Sequence, residues 1–311
     1  MSTEGVYVTL DELTRLQYQA RGFSFLPRQP IHSVLSGRHT SRLRGRGLDF
    51  EELRGYLPGD DPRTIDWKVT ARTGKPHVRV YTEERDRPAL MVVDQRMGMF
   101  FGTSLNMKSV TAAQIAAAGA WRVAGVGDRI GAVVFDDSAI EEVAPHRSSQ
   151  TVLRILHALV EKNTALRADS PARSNPGMLN EVLRGVARNV SHDYLIVIVS
   201  DFDGIDEETT RLVTRLAHNN DVIAMPVYDP SSQELPATGR MVVSDGELQI
   251  ELDFGKKSSR RRLLDFAEDR LASVMAWQQK IGVPVMPMST AEDVMDQARR
   301  LLGHAAAGGN R

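Results

Sequence analysis

The pattern of apolar positions after Pro88 alternates between two periods. Continuous apolar runs, ALMVVD at residues 89–94 and DYLIVIVSD at residues 193–201, are typical of strands covered on both faces of a parallel sheet. Between them lie stretches with helical spacing, of which MKSVTAAQIAAAGAWRVAG at residues 107–125 has a strong helix propensity. This alternation predicts an α/β fold: a doubly wound, mostly parallel, Rossmann-like sheet with helices on both faces.

Further strands and helices continue this alternation. TVLRILHALVEK, residues 151–162, predicts a helix with Leu153, Leu156 and Val160 on one stripe. The helix predicted for residues 259–282 contains Trp277 and could cover the sheet or face a partner. The other predicted elements are strands IGAVVFD, AIEEVA, DVIAMPVYD and VPVMPMS, helices GMLNEVLRGVARNV, 207–217 and TAEDVMDQARRLL, and a hairpin turning at Asp245-Gly246.

The first part of the chain has a different pattern. TLDELTRLQYQA, residues 9–20, predicts a short helix that begins after the capping residue Thr9. From Ile31 to about Asp86 the chain is rich in Arg and Gly, with short β-like pieces around a PGDDP turn. We therefore expect an N-terminal strand-and-loop region with a short leading helix at 1–86, an α/β domain at 87–303 and a disordered tail at 304–311.

The composition excludes several classes of protein. The 311 residues carry 39 Lys and Arg against 40 Asp and Glu, a net charge of -1, so nothing attracts the chain globally to nucleic acid or an anionic membrane. Without cysteine, the chain cannot form disulfides, thiolate zinc sites or cysteine nucleophiles. No apolar stretch is long enough to predict membrane insertion, and the N-terminal residues do not resemble a secretory signal. We expect a cytoplasmic protein.

A basic cluster, GRHTSRLRGRG, contains Arg38, Arg42, Arg44 and Arg46. Such a run could hold phosphate or an RNA backbone, but it lacks the aromatic residues that stack on bases. We favour a structural or partner-facing role in which these arginines pair with nearby acids. In TIDWKVTARTG, a tryptophan between charges, Trp67, favours packing at a domain junction.

Motifs for enzymatic chemistry are missing from the sequence. GVGDRIG at residues 125–131 fails the spacing of a dinucleotide-binding loop and follows a helix, so we interpret it as a helix-to-strand turn. There is no P-loop, no G-x-S-x-G elbow and no histidine pair at helical metal-ligand spacing. A pair such as Ser200 and Asp201 has no base placed to activate the serine. We expect a protein that is not an enzyme.

One long segment resembles a known family. The run LRGRGLDFEELRGYLPGDDPRTIDWKVTARTGKPHVRVYTEERDRP, continued by the strand ending in Asp94 and by IVSDFDG, is similar to the signature of bacterial domain of unknown function family 58 (DUF 58). The similarity extends from about residue 10 to residue 230. It implies a von Willebrand factor type A-like fold with a site at the carboxyl ends of the strands. It also implies association with MoxR-type AAA+ ATPases in chaperone-like maturation or stress functions.

The resemblance further implies a degenerate metal-ion-dependent adhesion site. In metal-binding von Willebrand type A domains an Asp-x-Ser-x-Ser motif, a threonine and a later aspartate hold Mg²⁺. Here Asp94 matches the first aspartate, while Arg96 and Gly98 replace the two serines. Asp201 matches the later aspartate, with Asp203 close by. For the threonine, the loop HRSSQT offers three candidates, Ser148, Ser149 and Thr151.

The arginine decides what we expect of this site. A guanidinium beside Asp94 and Asp201 would neutralise both carboxylates and repel Mg²⁺. We hypothesise a pseudo-site in which Arg96 occupies or guards the metal position, with weak Mg²⁺ binding or a core ion pair without function as the alternatives. The predicted pseudo-site consists of Asp94, Arg96, Gly98, Ser149, Thr151 and Asp201, and the metal ligands under the alternative of weak Mg²⁺ binding are Asp94, Asp201 and Asp203.

The expected function is therefore that of a non-enzymatic interaction or adaptor module without a cofactor. The expected partner is a MoxR-type AAA+ ATPase, with other von Willebrand type A proteins or client proteins as further candidates. The alternatives are a Mg²⁺-dependent adhesion-type domain and, less favoured, a nucleic-acid-binding protein. The predicted partner-binding residues are Arg42, Arg44, Arg46, Asp60, Asp61, Asp66 and Trp67.

Overall fold

A computed structural model describes residues 5–20, 48–83, 88–167, 174–230, 240–244, 249–253 and 269–303. The chain divides into two compact units. Residues 48–83 belong to the smaller unit, and the remaining described residues belong to the larger one. Within the described part, no helix combines the length and apolar character needed to cross a membrane.

The smaller unit is built on an antiparallel pair of strands, β1 (Leu48–Gly55) and β2 (His77–Glu83). A short 3-10 turn, Pro62–Thr64, and the helix α2, Trp67–Thr73, connect the two strands. Asp66 caps α2, because its carboxylate accepts the backbone N–H groups of Lys68 and Val69. Gly74, with a φ of 72°, ends the helix in the left-handed conformation that glycine adopts without strain.

In its described part, the larger unit contains eight strands: β3 (Ala89–Asp94), β4 (Ile130–Phe135), β5 (Ile140–His146), β6 (Leu195–Ser200), β7 (Asp221–Tyr228), β8 (Arg240–Ser244), β9 (Gln249–Asp253) and β10 (Met288–Ser289). Six of them form one sheet in the order β10-β7-β6-β3-β4-β5. All neighbouring strands are parallel except β4 and β5, which form an antiparallel pair at one edge. A separate antiparallel hairpin pairs β8 with β9.

Helices cover both faces of the sheet, as the sequence predicts. Alternate residues of β3 point to opposite sides: Met91 and Val93 lie in one hydrophobic core, Leu90 and Val92 in the other. The first core is covered by α1 (Leu10–Gln19), α3 (Lys108–Gly125), α4 (Ser149–Ala165) and α8 (Val294–Leu302). The second core is covered by α5 (Met178–Asn189), α6 (Glu207–Asn219), helical residues 269–275 and α7 (Trp277–Lys280). The predicted doubly wound α/β fold is confirmed.

Two details differ from the prediction. The leading helix α1 groups with the larger unit instead of the N-terminal region, because Leu13 is buried in the sheet core and its carbonyl accepts the indole N–H of Trp121 at 3.0 Å. In α4 the buried stripe consists of Val152, Ile155, Leu156 and Leu159, whereas Leu153 is exposed.

Other predicted details can be placed only in part. GVGDRIG is the helix-to-strand turn between α3 and β4, as predicted, and Trp277 is buried in the second core. β8 and β9 form the predicted hairpin, in which Ser244 pairs with Gln249. Its predicted turn at Asp245-Gly246, residues 259–268 of the predicted long helix, and the predicted tail at 304–311 lie outside the described residues.

Candidate functional site

Asp94 is the last residue of β3 and is fully buried at the carboxyl edge of the sheet. Its carboxylate accepts the backbone N–H of Arg96 at 2.9 Å and the Arg96 guanidinium through Nε at 3.0 Å and Nη2 at 2.7 Å. The hydroxyl of Ser200, at the end of the neighbouring strand β6, donates to the same carboxylate at 2.6 Å. Both oxygens of Asp94 are therefore occupied by donors within the chain.

The Arg96 side chain uses all five of its N–H donors inside the protein. Besides Asp94, its Nη1 donates to the carbonyls of Pro176 at 3.1 Å and Asp203 at 3.2 Å, and its Nη2 also reaches the Asp203 carbonyl at 3.2 Å. Burial alone would lower the pKa of Arg96, but the nearby carboxylates, above all Asp94, raise it above its ordinary value. Arg96 is thus a permanent cation that joins the β3–α3 loop, the loop before α5 and the β6–α6 loop.

Two further ion pairs complete the cluster. The Lys108 ammonium, in the first turn of α3, donates to Asp201 at 2.5 Å, and Arg270 donates to Asp203 at 2.5 Å. Asp201 also lies 3.9 Å from the Arg96 guanidinium. Burial tends to raise the pKa of Asp201, but Lys108, Arg270 and Arg96 outweigh it and hold that pKa below its ordinary value. Three carboxylates therefore face three cations, and the cluster has no net charge.

The backbone of the β6–α6 loop is shaped to close this cluster. Phe202 has a φ of 56°, which is uncommon for a residue other than glycine, and its N–H donates to the Ser200 hydroxyl at 2.8 Å. Its ring is fully buried and makes an edge-to-face contact with Trp277 at a centroid distance of 5.4 Å. Gly204 has a φ of 77°, and a Cβ there would lie 2.5 Å from the Pro176 side chain. The close approach of these two loops therefore requires glycine.

The residues do not fit a Mg²⁺ ion. Magnesium needs near-octahedral oxygen ligands at about 2.0–2.1 Å. At this position the Asp94 oxygens are saturated by Arg96 and Ser200, and the Asp201 carboxylate is held by the Lys108 ammonium. A dication would have to displace two buried cations from their partners. In the described part of the chain, no group of three or more His, Cys, Asp or Glu side chains is arranged to hold a metal.

The structure brings together four of the six predicted pseudo-site residues. Gly98 joins Asp94, Arg96 and Asp201, since a Cβ built on it would lie 3.6 Å from the Asp201 carboxylate. Ser149 and Thr151 are elsewhere, and their assignment to the site is wrong. Because β5 runs antiparallel to β4, its last residue, His146, pairs with Ile130, the first residue of β4. This is the amino-terminal end of the parallel strands, whereas Asp94 lies at their carboxyl end. The helix α4, which contains Ser149 and Thr151, therefore begins at the end of the sheet opposite Asp94.

The predicted partner-binding acids have structural roles. Asp60 accepts two hydrogen bonds of 2.8 Å from the Arg54 guanidinium, and Asp61 caps the turn Pro62–Thr64. Asp66 is buried and is bound by Arg79 at 2.8 Å. Trp67, for which the sequence favoured packing, is instead 68% exposed. The remaining predicted residues, Arg42, Arg44 and Arg46, lie outside the described residues.

Several residues of the cluster were not predicted. Lys108 carried a usable signal, because a lysine in the first turn of the helix after β3 lies at the same sheet edge as Asp94. Ser200 precedes Asp201 directly, but nothing in the sequence indicates that its hydroxyl turns toward Asp94. Arg270 and the Pro176 carbonyl carried no local signal, since both arrive from distant parts of the chain.

The sheet order and the helices on both faces define a doubly wound, mostly parallel α/β domain, and at the carboxyl edge of its sheet Arg96 binds Asp94. The chain belongs to the family described as "Protein of unknown function DUF58", whose model matches residues 52–273. It is 31% identical over 285 residues to an uncharacterized protein of Mycobacterium tuberculosis (strain ATCC 25618 / H37Rv), covering 90% of this chain and 86% of the relative.

Solved von Willebrand type A domains are also similar to the chain. The SpRpn10 VWA domain has a TM-score of 0.37 and 12% identity, covering 70% of this chain and 95% of that chain. The von Willebrand factor type A protein from Catenulispora acidiphila has a TM-score of 0.34 and 13% identity, covering 72% of this chain and 44% of that chain.

Proposed function

We propose that the chain is a non-enzymatic protein-interaction module that works with a MoxR-type AAA+ ATPase in a chaperone-like maturation or stress function. The ATPase and the role come from the family resemblance. The observation that best supports an interaction role is the closed ion-pair cluster at the carboxyl edge. Its three carboxylates are neutralised by Arg96, Lys108 and Arg270, and these ion pairs hold the loops at this edge of the sheet together.

The same cluster argues against direct recognition of a partner by Arg96. A guanidinium whose five donors are all used internally has none left for a partner's carboxylate. A partner would instead contact the exposed parts of the surrounding loops. In the β3–α3 loop, Gly98 and residues 103–105 are exposed, and Leu105 is an apolar side chain with 52% of its surface exposed. Leu105 is therefore the apolar anchor that we assign to this contact.

We also propose that neither a metal nor a catalytic serine takes part. The Ser200 hydroxyl is fully buried, donates to Asp94 and accepts the Phe202 N–H, so neither role is left for a substrate. The cytoplasmic location expected from the sequence stays a prediction.

The experiment is a direct binding assay between the purified chain and a purified MoxR-type ATPase from the same organism, loaded with a non-hydrolysable ATP analogue. We expect the wild type to bind and Leu105→Glu to lose most of that binding. Leu153→Glu is the matched control, because Leu153 is also an exposed leucine but lies near the start of α4, at the opposite edge of the sheet. Failure of the wild type to bind the ATPase would overturn the proposed partnership. Equal binding by both variants would overturn the proposed contact surface.

A further inference from the structure

The smaller unit exposes a second surface, which combines an aromatic side chain with positive charge. Trp67 is the first residue of α2 and is 68% exposed. Such exposure is unusual for tryptophan, because its large apolar surface is costly to leave in contact with water. Lys68 and Arg72 follow on α2 four residues apart, so they lie on one side of the helix. We call this the α2 surface, and its members are Arg63, Trp67, Lys68, Arg72 and Lys75.

The cations of the α2 surface differ from the other described cations of the smaller unit. Arg54 is paired with Asp60, and Arg79 with Asp66, each at 2.8 Å. Asp61 is used to cap a backbone turn. Among the residues that the structure describes, no ion pair neutralises the exposed cations of the α2 surface, Arg63, Lys68, Arg72 and Lys75.

An apolar side chain borders this surface. Leu53 lies directly opposite Arg79 in the β1–β2 pair, so both side chains project from the same face of the strands. The Arg79 guanidinium reaches Asp66, the residue before Trp67, which places Leu53 on the side of the start of α2. Leu53 is 39% exposed. An exposed tryptophan and leucine beside unpaired cations form the type of patch that anchors a protein partner.

We propose that the α2 surface binds an acidic segment of a partner protein, in which carboxylates pair with the four cations while an apolar side chain packs on Trp67. Charge complementarity selects the acidic character, because none of the four exposed cations is held in an ion pair within the described part of the chain. A protein segment is favoured over nucleic acid, because a single aromatic and a neighbouring leucine suit one apolar side chain better than a run of stacked bases. The inference adds a second surface to the proposed interaction function and rests on it only in assigning a protein as the occupant.

The three tryptophans of the chain provide a selective probe of this surface. Trp121 is 7% exposed and Trp277 is 2% exposed, so a quencher in solution reaches Trp67 preferentially. We would titrate the full chain with a short peptide of alternating glutamate and leucine and follow acrylamide quenching of tryptophan emission. Binding is expected to protect Trp67 from the quencher, and the protection should weaken as salt is added. A peptide with lysine in place of glutamate should give no protection.

Variants then locate the binding site by anisotropy of a labelled copy of the glutamate–leucine peptide. Trp67→Ala should weaken binding about tenfold or more, as expected for a hot-spot tryptophan. Lys68→Glu combined with Arg72→Glu should abolish it. The matched control is Arg211→Glu combined with Arg215→Glu, which makes the same charge change on two exposed arginines four residues apart on α6. Circular dichroism checks that each variant is folded.

Three results would overturn the proposal: no protection of Trp67 by the acidic peptide, equal loss of binding in the two charge-reversal variants, or binding of a single-stranded oligonucleotide in preference to the peptide. None of these measurements involves the ATPase. Peptide binding without ATPase binding would therefore overturn the proposed partnership and support the α2 surface. ATPase binding without peptide binding would overturn the α2 surface and support the partnership.

Discussion

Replacement of Arg96 by methionine should remove the ion pair and the hydrogen bonds that connect three loops. Methionine keeps an unbranched apolar stem but cannot donate a hydrogen bond. Asp94 is fully buried, and in this variant it would keep only the Ser200 hydroxyl and the backbone N–H of residue 96 as donors. The carbonyls of Pro176 and Asp203 would each lose a donor as well.

The magnitude follows from the burial of the pair. The side chains of Arg96 and Asp94 are 4% and 0% exposed. Water therefore cannot solvate the Asp94 carboxylate once its arginine partner is removed. Removal of one partner of such a pair costs about 3–5 kcal/mol, which is a large part of the total stability of about 5–15 kcal/mol typical of a domain. Asp94→Asn in the same chain should recover part of this loss, since the two changes should couple by about 0.5–3 kcal/mol.

Urea unfolding at pH 7 measures this effect, followed by tryptophan emission and by circular dichroism so that a coincident transition can be verified. The buried Trp121 and Trp277 report on the larger unit. Arg184→Met is the matched control, because Arg184 forms an exposed ion pair with Glu208 in the same unit and should change stability far less. A loss below about 1 kcal/mol for Arg96→Met, or equal losses in the two arginine variants, would refute the assignment of Arg96 as a structural tie.

Two more predictions concern the same cluster. Gly204→Ala should cost about 1–3 kcal/mol and lower the thermal midpoint, because its φ is positive and a Cβ would meet Pro176; Gly98→Ala, whose Cβ would make only an ordinary contact with Asp201, should be nearly neutral, and equal midpoints in the two variants would contradict this explanation. The folded-state pKa of Asp201 lies below the unfolded value of about 4, so its pairing with Lys108 stabilises the fold above that pH and is lost as the pH falls through the folded pKa. The stability difference between wild type and Asp201→Asn should accordingly be largest at neutral pH and shrink below about pH 4, and a difference that grows on acidification would contradict it.

Most of the fold could be predicted because the spacing of apolar residues clearly distinguishes its strands from its helices. The run from Ala89 to Asp94 is buried on both faces, and the alanine-rich sequence of α3 has few alternatives to a helix. The stripe in α4 was misplaced by about one position: Leu153 looks equivalent to Leu156 in sequence, but the orientation of the helix on the sheet turns it to solvent. The contacts around an amphipathic helix, and not its composition alone, decide which side of the apolar stripe is covered.

Only part of the candidate site could be predicted from the sequence. Asp94 could be predicted because it lies at the end of a buried strand, whereas Arg96 and Asp201 were assigned to the site through the family resemblance. The placement of Ser149 and Thr151 failed because β5 was not recognised as the second strand of a hairpin. Only residues 136–139 separate β4 from β5, too few for the crossover that parallel strands require, so β5 had to return to the opposite edge.

The long-range part of the cluster could not be predicted in the same way. Arg270 pairs with Asp203 across 67 residues of sequence, and the Arg96 guanidinium meets the Pro176 carbonyl across 80 residues. Each contact depends on how two separate loops pack, and a backbone carbonyl carries no residue-specific signal. Arg96 was therefore recognised as a cation near two acids, whereas its role as a donor to three loops required the structure.

The most direct test of the central claim is calorimetric titration of Mg²⁺ into the wild-type chain after treatment with a chelator, with Asp94→Ala beside it. If Arg96 and Lys108 hold the carboxylates as described, neither protein will show saturable heat at physiological magnesium concentrations. Saturable binding by the wild type that is lost in Asp94→Ala would show that a metal displaces the arginine, and would contradict the account.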